Sequence, residues 1–565
     1  MMDFTGYSSS QLERIIRRND LDQDMRAKAK SVLDSRTPAS SNASAAAQNA
    51  KTQHKPTAEQ VAAVTAFKTG SKVIISAYAG AGKTSTLQLI AESTSKCGLY
   101  LAFNTATALE AAARFPENMK CMTTHGQAVR LVRKQYSNSK LFTSLTPRSL
   151  KALHDLKAQN IAGHEIDGLG MAFLQLLTIQ AFCHSEDDTI SLDHVPKDRG
   201  QLQNYSGFSL RQVRKRVFEN STRLWGRMLD DKDPTPLGHD GYLKFWSLQS
   251  PTLDYDFILL DEAQDTNPCV MKVLEQQDCQ VVYVGDPYQQ IYEWRGAVNA
   301  MASVDAKIES QLSMTFRFGI ELAEIATELL HNLGEKTPLR AMQSKSTRLA
   351  ASGRADVKIA RKNATLIEQC LVHQEMGERV AFVGVKEDLQ KLISSVYELK
   401  DGKPAKHPDL AGFSNWEEVV AHAQLDEGAD LVAFVTLVSK FGEGRLHWAL
   451  KGAVDESDRP DLVLTSGHRS KGREWNAVEI CEDFGDLIDD KGRIAYSSGR
   501  LFYVAVTRAK SRLIVDPTLL DRFCKAERFF PDEELDAIHK AEAEELARAS
   551  KMDSHTAPED PRFTS

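Results

Sequence analysis

The chain has no apolar run that approaches the roughly 18–20 residues needed to span a bilayer. Residues 1–20 also lack the apolar core that a secretory signal requires. These two absences argue against an integral membrane protein and against a secreted one. They predict a protein with no membrane partner, located in the cytoplasm or, in a eukaryotic cell, in the nucleus.

The eight cysteines include no C-x-x-C pair, and their scattered positions indicate a reducing compartment without a structural zinc site. An excess of positive charge is missing too, because 70 basic and 77 acidic residues give a net charge of −7. Residues 531–565 alone hold ten acidic and four basic residues, a net charge of −6. The rest of the chain is therefore nearly neutral, and the local distribution of charge must decide what it binds.

The composition, 42% hydrophobic and 26% charged, is that of a globular protein with sizeable cores. From residue 57 onward, short apolar segments alternate with helical patterns, which is typical of parallel α/β sheets. The strongest candidates for strands are residues 72–77, 98–103, 256–261, 280–286, 379–385, 431–437, 476–484 and 511–516.

The sharpest local motif is the glycine-rich segment 77–86, which lies between a predicted strand and an amphipathic helix. Gly80 and Gly82 allow backbone N–H groups to surround phosphate oxygens, and Lys83 adds a charge for the outer phosphates. The hydroxyl of Thr84 is a suitable ligand for Mg²⁺. The strict form of this motif begins with glycine, whereas this chain has Ala77.

Acidic residues follow another apolar strand, in the segment 258–265. Asp261 is placed to hold Mg²⁺, and Glu262 is placed to orient and deprotonate an attacking water. Phosphoryl transfer also needs cations that face the charge developing on the γ-phosphate. Arg317 and Arg508 are the candidates, and the sequence around each of them favours that role over a surface ion pair.

Taken in order, these segments resemble the superfamily 1 helicases of the UvrD/Rep/PcrA type, over about residues 56–516. Within that group, segments such as 239–246 resemble the F-box DNA helicases, although residues 1–33 are too short for an F-box. The resemblance implies an α/β fold with two RecA-like parallel-sheet P-loop domains and mainly helical insertions. The expected domains are a helical module at 1–36, a flexible linker at 37–56, domain 1A at 57–126 and 251–315, insertion 1B at 127–250, domain 2A at 316–392 and 461–530, a reduced insertion 2B at 393–460, and an acidic helix and tail at 531–565.

The family motifs imply a set of residues that contact ATP and its Mg²⁺ ion. Gln60 would read the adenine edge, Phe316 would stack on adenine, and Glu474 would bind the ribose. Gln289 would sense the γ-phosphate, and Arg508 would act as the arginine finger. The ATP-contacting residues are expected to be Gln60, Ala79, Gly80, Ala81, Gly82, Lys83, Thr84, Ser85, Phe316, Arg317, Glu474 and Arg508, with Thr84 and Asp261 at the metal.

The same resemblance implies a track for single-stranded DNA built from stacked bases and phosphate contacts. Its predicted residues are Phe103, Asn104, Thr124, His125, Tyr292, Trp294, Arg295 and His468. A basic helix is predicted at residues 209–227, which contain six basic residues and one acid. Beside a DNA track, we expect this helix to contact a strand or a duplex.

Two segments depart from the family pattern. The motif that normally reads Thr-Leu-His is Ser466-Gly467-His468 here, and Ser497-Ser498-Gly499 replaces acidic residues before Arg500. Both departures leave the predicted ATP contacts in place, so we expect activity with altered coupling.

The resemblance therefore predicts an ATP- and Mg²⁺-dependent enzyme, a DNA-dependent ATPase that translocates 3′–5′ on single-stranded DNA and separates strands. It would act as a monomer on single strands and on single-strand/duplex junctions, with a protein partner at 1–36 or 531–565. Two alternatives stay open. One is a translocase that mainly displaces proteins, such as recombinase filaments, because the reduced 2B insertion argues against processive unwinding. The other is an ATP-gated DNA-binding adaptor.

Overall fold

The structure is a computed structural model that describes residues 55–197, 205–291, 304–306, 308–410, 413–424 and 429–539, with single positions 30, 202, 301 and 541. The chain divides into two compact units, Met1–Ser313 and Met314–Ser565. The predicted helical module, most of the predicted linker and the end of the acidic tail lie outside the described residues. Within the part that the structure describes, no helix is both long enough and apolar enough to cross a membrane.

Unit 1 is built on a six-stranded parallel sheet in the order β3-β2-β6-β7-β1-β8, and a short antiparallel hairpin, β4-β5, lies apart from it. The central strands are buried on both faces, as their nearly continuous apolar sequences require. The predicted strands at 72–77, 98–103, 256–261 and 280–286 are confirmed. The strands are β1 Val73–Ala77, β2 Gly98–Ala102, β3 Met119–Thr123, β4 Gln159–Ile161, β5 His164–Ile166, β6 Phe257–Asp261, β7 Gln280–Gly285 and β8 Ile308–Leu312.

The helices of unit 1 cover the sheet and form the long segment between β3 and β6. The predicted basic helix at 209–227 is confirmed, because these residues lie in the 23-residue helix Gly207–Leu229 of this segment. The helices are α1 Ala58–Lys68, α2 Lys83–Glu92, α3 Thr105–Arg114, α4 Thr124–Val132, α5 Asn138–Phe142, α6 Pro147–His154, α7 Gly168–His184, α8 Gly207–Leu229, α9 Gly238–Leu248 and α10 Pro268–Glu275.

Unit 2 contains a second six-stranded parallel sheet, in the order β11-β16-β15-β12-β14-β13, and a two-stranded pair, β9-β10. The predicted strands at 379–385, 476–484 and 511–516 correspond to β13, β15 and β16. The strands are β9 Met314–Thr315, β10 Arg340–Ala341, β11 Arg348–Ala350, β12 Val357–Ala360, β13 Val380–Phe382, β14 Leu462–Ser466, β15 Trp475–Ile480 and β16 Ala509–Ile514. The chain thus has the α/β fold with two RecA-like parallel sheets that the resemblance implied.

The predicted strand at residues 431–437 is wrong, because these residues lie in a helix that spans Ala429–Gly452 and bends at Gly442. Its buried residues, Phe434, Leu437 and Val438, follow helical spacing. They belong to one apolar core with helices from 363–400 and strands β13 and β14. The helices of unit 2 are α11 Ile320–Asn332, α12 Asn363–Glu375, α13 Lys386–Lys400, α14 Trp416–His422, α15 Ala429–Gly452, α16 Tyr496–Val506 and α17 Pro517–Cys524.

Candidate active site

The glycine-rich loop leads from β1 directly into α2. Gly80 and Gly82 have φ angles of 72° and 80°, left-handed values that glycine adopts at little cost. Gly82 is the N-cap of α2, and no side chain of the described residues caps this helix. The first N–H groups of the helix are therefore available as donors to an anion. Among the other predicted loop ligands, Ala79 and Ala81 are buried, Thr84 is half-buried and Ser85 is exposed.

Lys83 lies among carboxylates from two neighbouring strands. Its Nζ is 2.9 Å from Oε1 of Glu262, which follows β6. Burial by itself lowers the pKa of Lys83, but the charges of Glu262, Asp286 and Asp261 outweigh burial and raise the pKa above its ordinary value. Lys83 is therefore a permanent cation at neutral pH. Because three carboxylates surround one lysine, the cluster has excess negative charge.

Asp261 ends β6 and is buried. Burial, together with the charge of Glu262, raises the pKa of Asp261 above that of an ordinary aspartate. The hydroxyl of Tyr100, on the adjacent strand β2, donates to Oδ2 of Asp261 at 2.6 Å and opposes this rise. Tyr100 was missed in the sequence, where it reads only as one more apolar strand residue.

Glu262 has a φ of 52°, a left-handed conformation that is unusual for a residue other than glycine. The side-chain amide of Gln264 donates to the Glu262 carboxylate. The other end of that amide, Oε1, accepts from the backbone N–H of Asp286 at 3.1 Å. A Cβ at Gly285 would come within 2.2 Å of this Oε1, so only glycine leaves room for the contact. Gln264 thus links the carboxyl ends of β6 and β7.

Asp286 follows β7, and its carboxylate accepts from the backbone N–H of Tyr288 at 3.0 Å and from Nε2 of Gln289 at 2.7 Å. Burial raises the pKa of Asp286 to about 6. The structure therefore brings the predicted sensor Gln289 to a carboxylate that acts electrostatically on Lys83. The signal for Asp286 was present in the sequence, because it is an acid at the end of an apolar strand, as Asp261 is.

The side chain of Gln60 is held by two hydrogen bonds in this conformation. Its Oε1 accepts from the backbone N–H of Thr57 at 3.1 Å, which completes a capping box at the start of α1. Its Nε2 donates to the hydroxyl of Thr86 at 3.2 Å, and that hydroxyl donates to the carbonyl of Gly82 at 3.0 Å. Gln60 is thereby tied to the helix that begins at the phosphate loop.

In unit 2, Arg317 and Glu474 form an ion pair, with Nε of Arg317 at 2.8 Å from Oε2 of Glu474. Nζ of Lys510 lies 3.5 Å from the other carboxylate oxygen. Burial favours the neutral acid, but these two cations outweigh it and lower the pKa of Glu474. Phe316 is half-buried beside Arg317, and its carbonyl accepts from the ammonium group of Lys345.

Arg508 follows the end of α16, and its guanidinium is held by the same helix. Nε donates to the carbonyl of Val504 at 2.7 Å, and a terminal nitrogen donates to the hydroxyl of Thr507 at 3.1 Å. That hydroxyl donates to the carbonyl of Tyr503 at 2.7 Å. Another terminal nitrogen donates to the carbonyl of Arg473, just before β15, at 3.3 Å. The direction of this buried guanidinium therefore depends on the position of α16 and on the backbone at Arg473.

The predicted DNA-contacting residues of unit 1 that the structure describes follow two adjacent strands. Phe103 and Asn104 follow β2, and Phe103 is 49% exposed. Asn104 caps α3 by accepting from the N–H of Thr107 at 2.9 Å. Thr124 and His125 begin α4, after β3. Since the sheet is parallel, these residues lie at the same edge as the phosphate loop and Asp261.

His125 lies in an aromatic cluster, with its ring 5.8 Å from Tyr242 and 6.3 Å from His239. Burial lowers the pKa of His125, so the ring is neutral at neutral pH. In unit 2, His468 follows β14 and is half-buried. Three predicted DNA contacts, Tyr292, Trp294 and Arg295, lie outside the described residues.

The residues of unit 1 fit a magnesium–nucleotide complex. The hydroxyl of Thr84 and the carboxylate of Asp261 are the hard oxygen ligands that Mg²⁺ prefers. The excess negative charge around Lys83 favours a divalent cation. Gly80, Gly82 and the start of α2 provide backbone donors for phosphate oxygens.

Comparison with known proteins agrees with this geometry. Residues 246–307 match the model of the UvrD/REP helicase N-terminal domain. F-box DNA helicase protein 1 of Schizosaccharomyces pombe is 30% identical over 498 residues, which cover 80% of this chain and 56% of that protein. F-box DNA helicase 1 of Gallus gallus is 30% identical over 492 residues, or 80% of this chain and 48% of that protein. Residues 246–307 thus contain a UvrD/REP helicase N-terminal domain.

The chain is close to the F-box DNA helicases and spans about half the length of these two relatives. A probable DNA helicase of Mycoplasma pneumoniae is more distant, at 23% identity over 357 residues, which cover 61% of this chain and 58% of that protein.

The packing accounts for the glycine in each of the two departures from the family motifs. A Cβ at Gly467 would lie 2.9 Å from Cδ1 of Leu501 and 3.3 Å from the ring of Phe484. Those side chains occupy the space that the leucine of the usual motif would need. A Cβ at Gly499 would lie 2.2 Å from Cδ2 of Phe529, so the residue before Arg500 must be glycine.

Proposed function

We propose that the protein is a DNA-dependent ATPase that moves 3′–5′ along single-stranded DNA and couples hydrolysis to strand separation. The observation that carries the proposal is the cluster in which Lys83 contacts Glu262 beside Asp261 and the phosphate loop. A cation, a candidate base and a candidate metal ligand converge at the edge of a parallel sheet where such folds bind ligands. Relatives whose names describe DNA helicases support an activity on DNA.

In this proposal, the backbone donors of the phosphate loop and Lys83 bind the phosphates of ATP. Thr84 and Asp261 would hold Mg²⁺, which would neutralise charge at the phosphate oxygens. Glu262 orients the attacking water and accepts its proton, and Gln264 holds the Glu262 carboxylate in place. Gln289 and Arg317 respond to the terminal phosphate, while Gln60, Phe316 and Glu474 contact the nucleoside. Arg508 provides a cation for the transition-state charge.

The proposed DNA contacts lie at the carboxyl ends of strands. Phe103 is exposed and can stack on a base, and the neutral ring of His125 contributes hydrogen bonding or stacking rather than charge. The basic helix α8 adds phosphate contacts through its exposed cations, which are Arg211, Lys215, Arg216, Arg223 and Arg227. Because the chain as a whole carries a net charge of −7, we expect stacking to carry much of the affinity.

The decisive experiment measures ATP turnover with and without single-stranded DNA in the wild type, in Lys83→Ala and in Lys68→Ala. Lys68 is an exposed lysine in the last turn of α1 and serves as the control. We expect DNA to stimulate the wild type and the control, and Lys83→Ala to lose more than about 100-fold of the turnover. Turnover that persists in Lys83→Ala would contradict the site, and turnover that ignores DNA would favour the adaptor.

A translocase that mainly displaces proteins is a second candidate. Helix α15 and the second half of α13 lie in the segment 393–460 that was expected to form a 2B insertion. Both helices share one apolar core with β13 and β14 instead of forming a core of their own. This packing leaves little independent structure for engaging a duplex. A forked duplex and a single strand coated with a recombinase distinguish the two functions, because the second candidate clears the coated strand without opening the fork.

A further inference from the structure

The segment that follows α17 packs against the start of α16, the helix that precedes Arg508. The backbone N–H of Tyr496 donates to the carbonyl of Phe530 at 2.7 Å, and the N–H of Phe530 donates to the carbonyl of Ile494 at 2.8 Å. These bonds form a short parallel bridge between Ala495 and Phe530. The predicted acidic tail, which begins at residue 531, therefore starts directly beside α16.

Phe529 anchors this segment. Its side chain is fully buried, and its ring fills the space beside Gly499 where a Cβ would clash. Phe529 also makes an edge contact with Phe523, whose ring stacks on Phe502 of α16 at a centroid distance of 3.8 Å. The segment at Phe529 and Phe530 is thus held against α16 by stacked aromatic rings and by a backbone bridge. This packing fixes the position of the residues that follow Phe530.

Asp532 lies at the start of α16, where the first backbone N–H groups of the helix need a hydrogen-bond acceptor. The N-cap of α16 is Ala495, whose side chain cannot accept a hydrogen bond. The carboxylate of Asp532 accepts from the backbone N–H of Ser497 at 3.1 Å and from the Ser497 hydroxyl. Residues 497–499 contain no acid of their own, so a carboxylate 35 residues further along the chain supplies the charge that complements the helix dipole.

The other end of α16 supplies two of the hydrogen bonds that hold Arg508, through the carbonyl of Val504 and the hydroxyl of Thr507. The carbonyl of Arg473 supplies a third. A helix of 11 residues transmits a displacement of its first turn to its last, since it is a hydrogen-bonded rod that rises about 1.5 Å per residue. We propose that Asp532 is a positioning residue for ATP hydrolysis, which caps α16 from the C-terminal segment and so fixes the helix that holds Arg508. This inference rests on the proposed role of Arg508.

The test compares full-length Asp532→Ala, Asp532→Asn and Asp536→Asn with the wild type. Asp536 is an exposed acid in the same helical segment, so its variant removes an equal charge without touching Ser497. At saturating single-stranded DNA, we expect kcat to fall about three- to tenfold in Asp532→Ala and less in Asp532→Asn, whose amide oxygen still caps. The KM for ATP should change less than about twofold, because the cap acts on a group that binds the transition state.

Hydrogen exchange of the amides of residues 496–508 gives a second readout that does not depend on turnover. We expect faster exchange in this range in Asp532→Ala and unchanged exchange in Asp536→Asn. Wild-type kcat in Asp532→Ala, or unchanged exchange over 496–508, overturns the inference. A wild type without ATPase activity contradicts the proposed function instead, and the exchange experiment then still decides whether Asp532 holds the helix.

Discussion

Arg317 donates from Nε to the carboxylate of Glu474 at 2.8 Å, so two residues predicted to contact different parts of ATP contact each other. Lys510 approaches the same carboxylate at 3.5 Å. The lowered pKa of Glu474 keeps this acid ionised at neutral pH, and its single charge offsets about half of the charge of the two cations. With the roles proposed for Arg317 and Glu474, nucleotide binding would exchange this ion pair for contacts with phosphate and ribose.

Glu474→Gln should strengthen the binding of inorganic tripolyphosphate, a probe that has phosphates but no ribose. Glutamine keeps the shape of the side chain but leaves the charges of Arg317 and Lys510 uncompensated. We expect the inhibition constant of tripolyphosphate in the ATPase assay to fall about two- to fivefold, the range of a partly exposed ion pair. Glu479→Gln is the control, because Glu479 pairs with Lys358 at 2.9 Å. Equal inhibition of the wild type and Glu474→Gln would show that the Glu474 carboxylate does not compete with phosphate for Arg317 and Lys510.

Tyr100→Phe should move the acid limb of the ATPase pH profile to higher pH. The Tyr100 hydroxyl stabilises the ionised form of Asp261, so its loss raises an already elevated pKa further. Mg²⁺ binds only the ionised carboxylate, and protons therefore compete with the metal as the pH falls. The measurement is the Mg²⁺ activation constant of the ATPase as a function of pH, between about pH 5.5 and 8. We expect the midpoint of this dependence to shift by about one pH unit.

Tyr283→Phe is the matched control for this shift. Tyr283 is fully buried on β7, and among the described residues its hydroxyl has no hydrogen-bond partner. Its removal should leave the pH profile unchanged and should not destabilise the fold, because no bond is lost. If Tyr100→Phe and Tyr283→Phe give the same profile, the hydroxyl of Tyr100 does not tune Asp261.

The sequence predicted the features that depend on neighbouring residues. The loop at Gly80–Lys83 and the acids at the end of β6 each follow a short apolar strand, so the local pattern predicts both the strand and the chemistry at its end. Tyr100 and Asp261 are 161 residues apart, and their contact depends on β2 and β6 being neighbours in the sheet. No local pattern predicts that order.

Residues 431–437 show that a local pattern can also fail to predict the type of secondary structure. A short run of apolar and β-branched residues fits a buried strand and a buried helix equally well. The packing decides, because α15 lies against α12 and α13 and buries Phe434, Leu437 and Val438 on one face. The contact of Asp532 with Ser497 was equally hidden, since an acid in an acidic tail carries no sign of its partner.

The left-handed backbone conformation of Glu262 should lower the free energy of unfolding. A left-handed φ costs a residue with a Cβ about 1 kcal/mol relative to glycine. We expect Glu262→Gly to be more stable than Glu262→Ala by about 1 kcal/mol in urea unfolding, while both lose about 100-fold or more of the turnover. At Glu110, in the exposed middle of α3, the order should reverse, since glycine is the poorer helix former. A more stable Glu262→Ala would show that the conformation is not strained.

Gly467→Leu restores the usual family residue and should nevertheless destabilise this protein. The added side chain meets Cδ1 of Leu501, which a Cβ alone would approach to 2.9 Å. We expect a loss of about 1–3 kcal/mol in the free energy of unfolding, as for other overpacked cores. Leu501→Ala by itself should also destabilise, because it leaves a cavity. Combined, the two changes compensate in volume, so the double variant should lose less than the sum of the single losses. Additive losses would mean that Gly467 and Leu501 do not compete for this space, and that the departure from the motif has another cause.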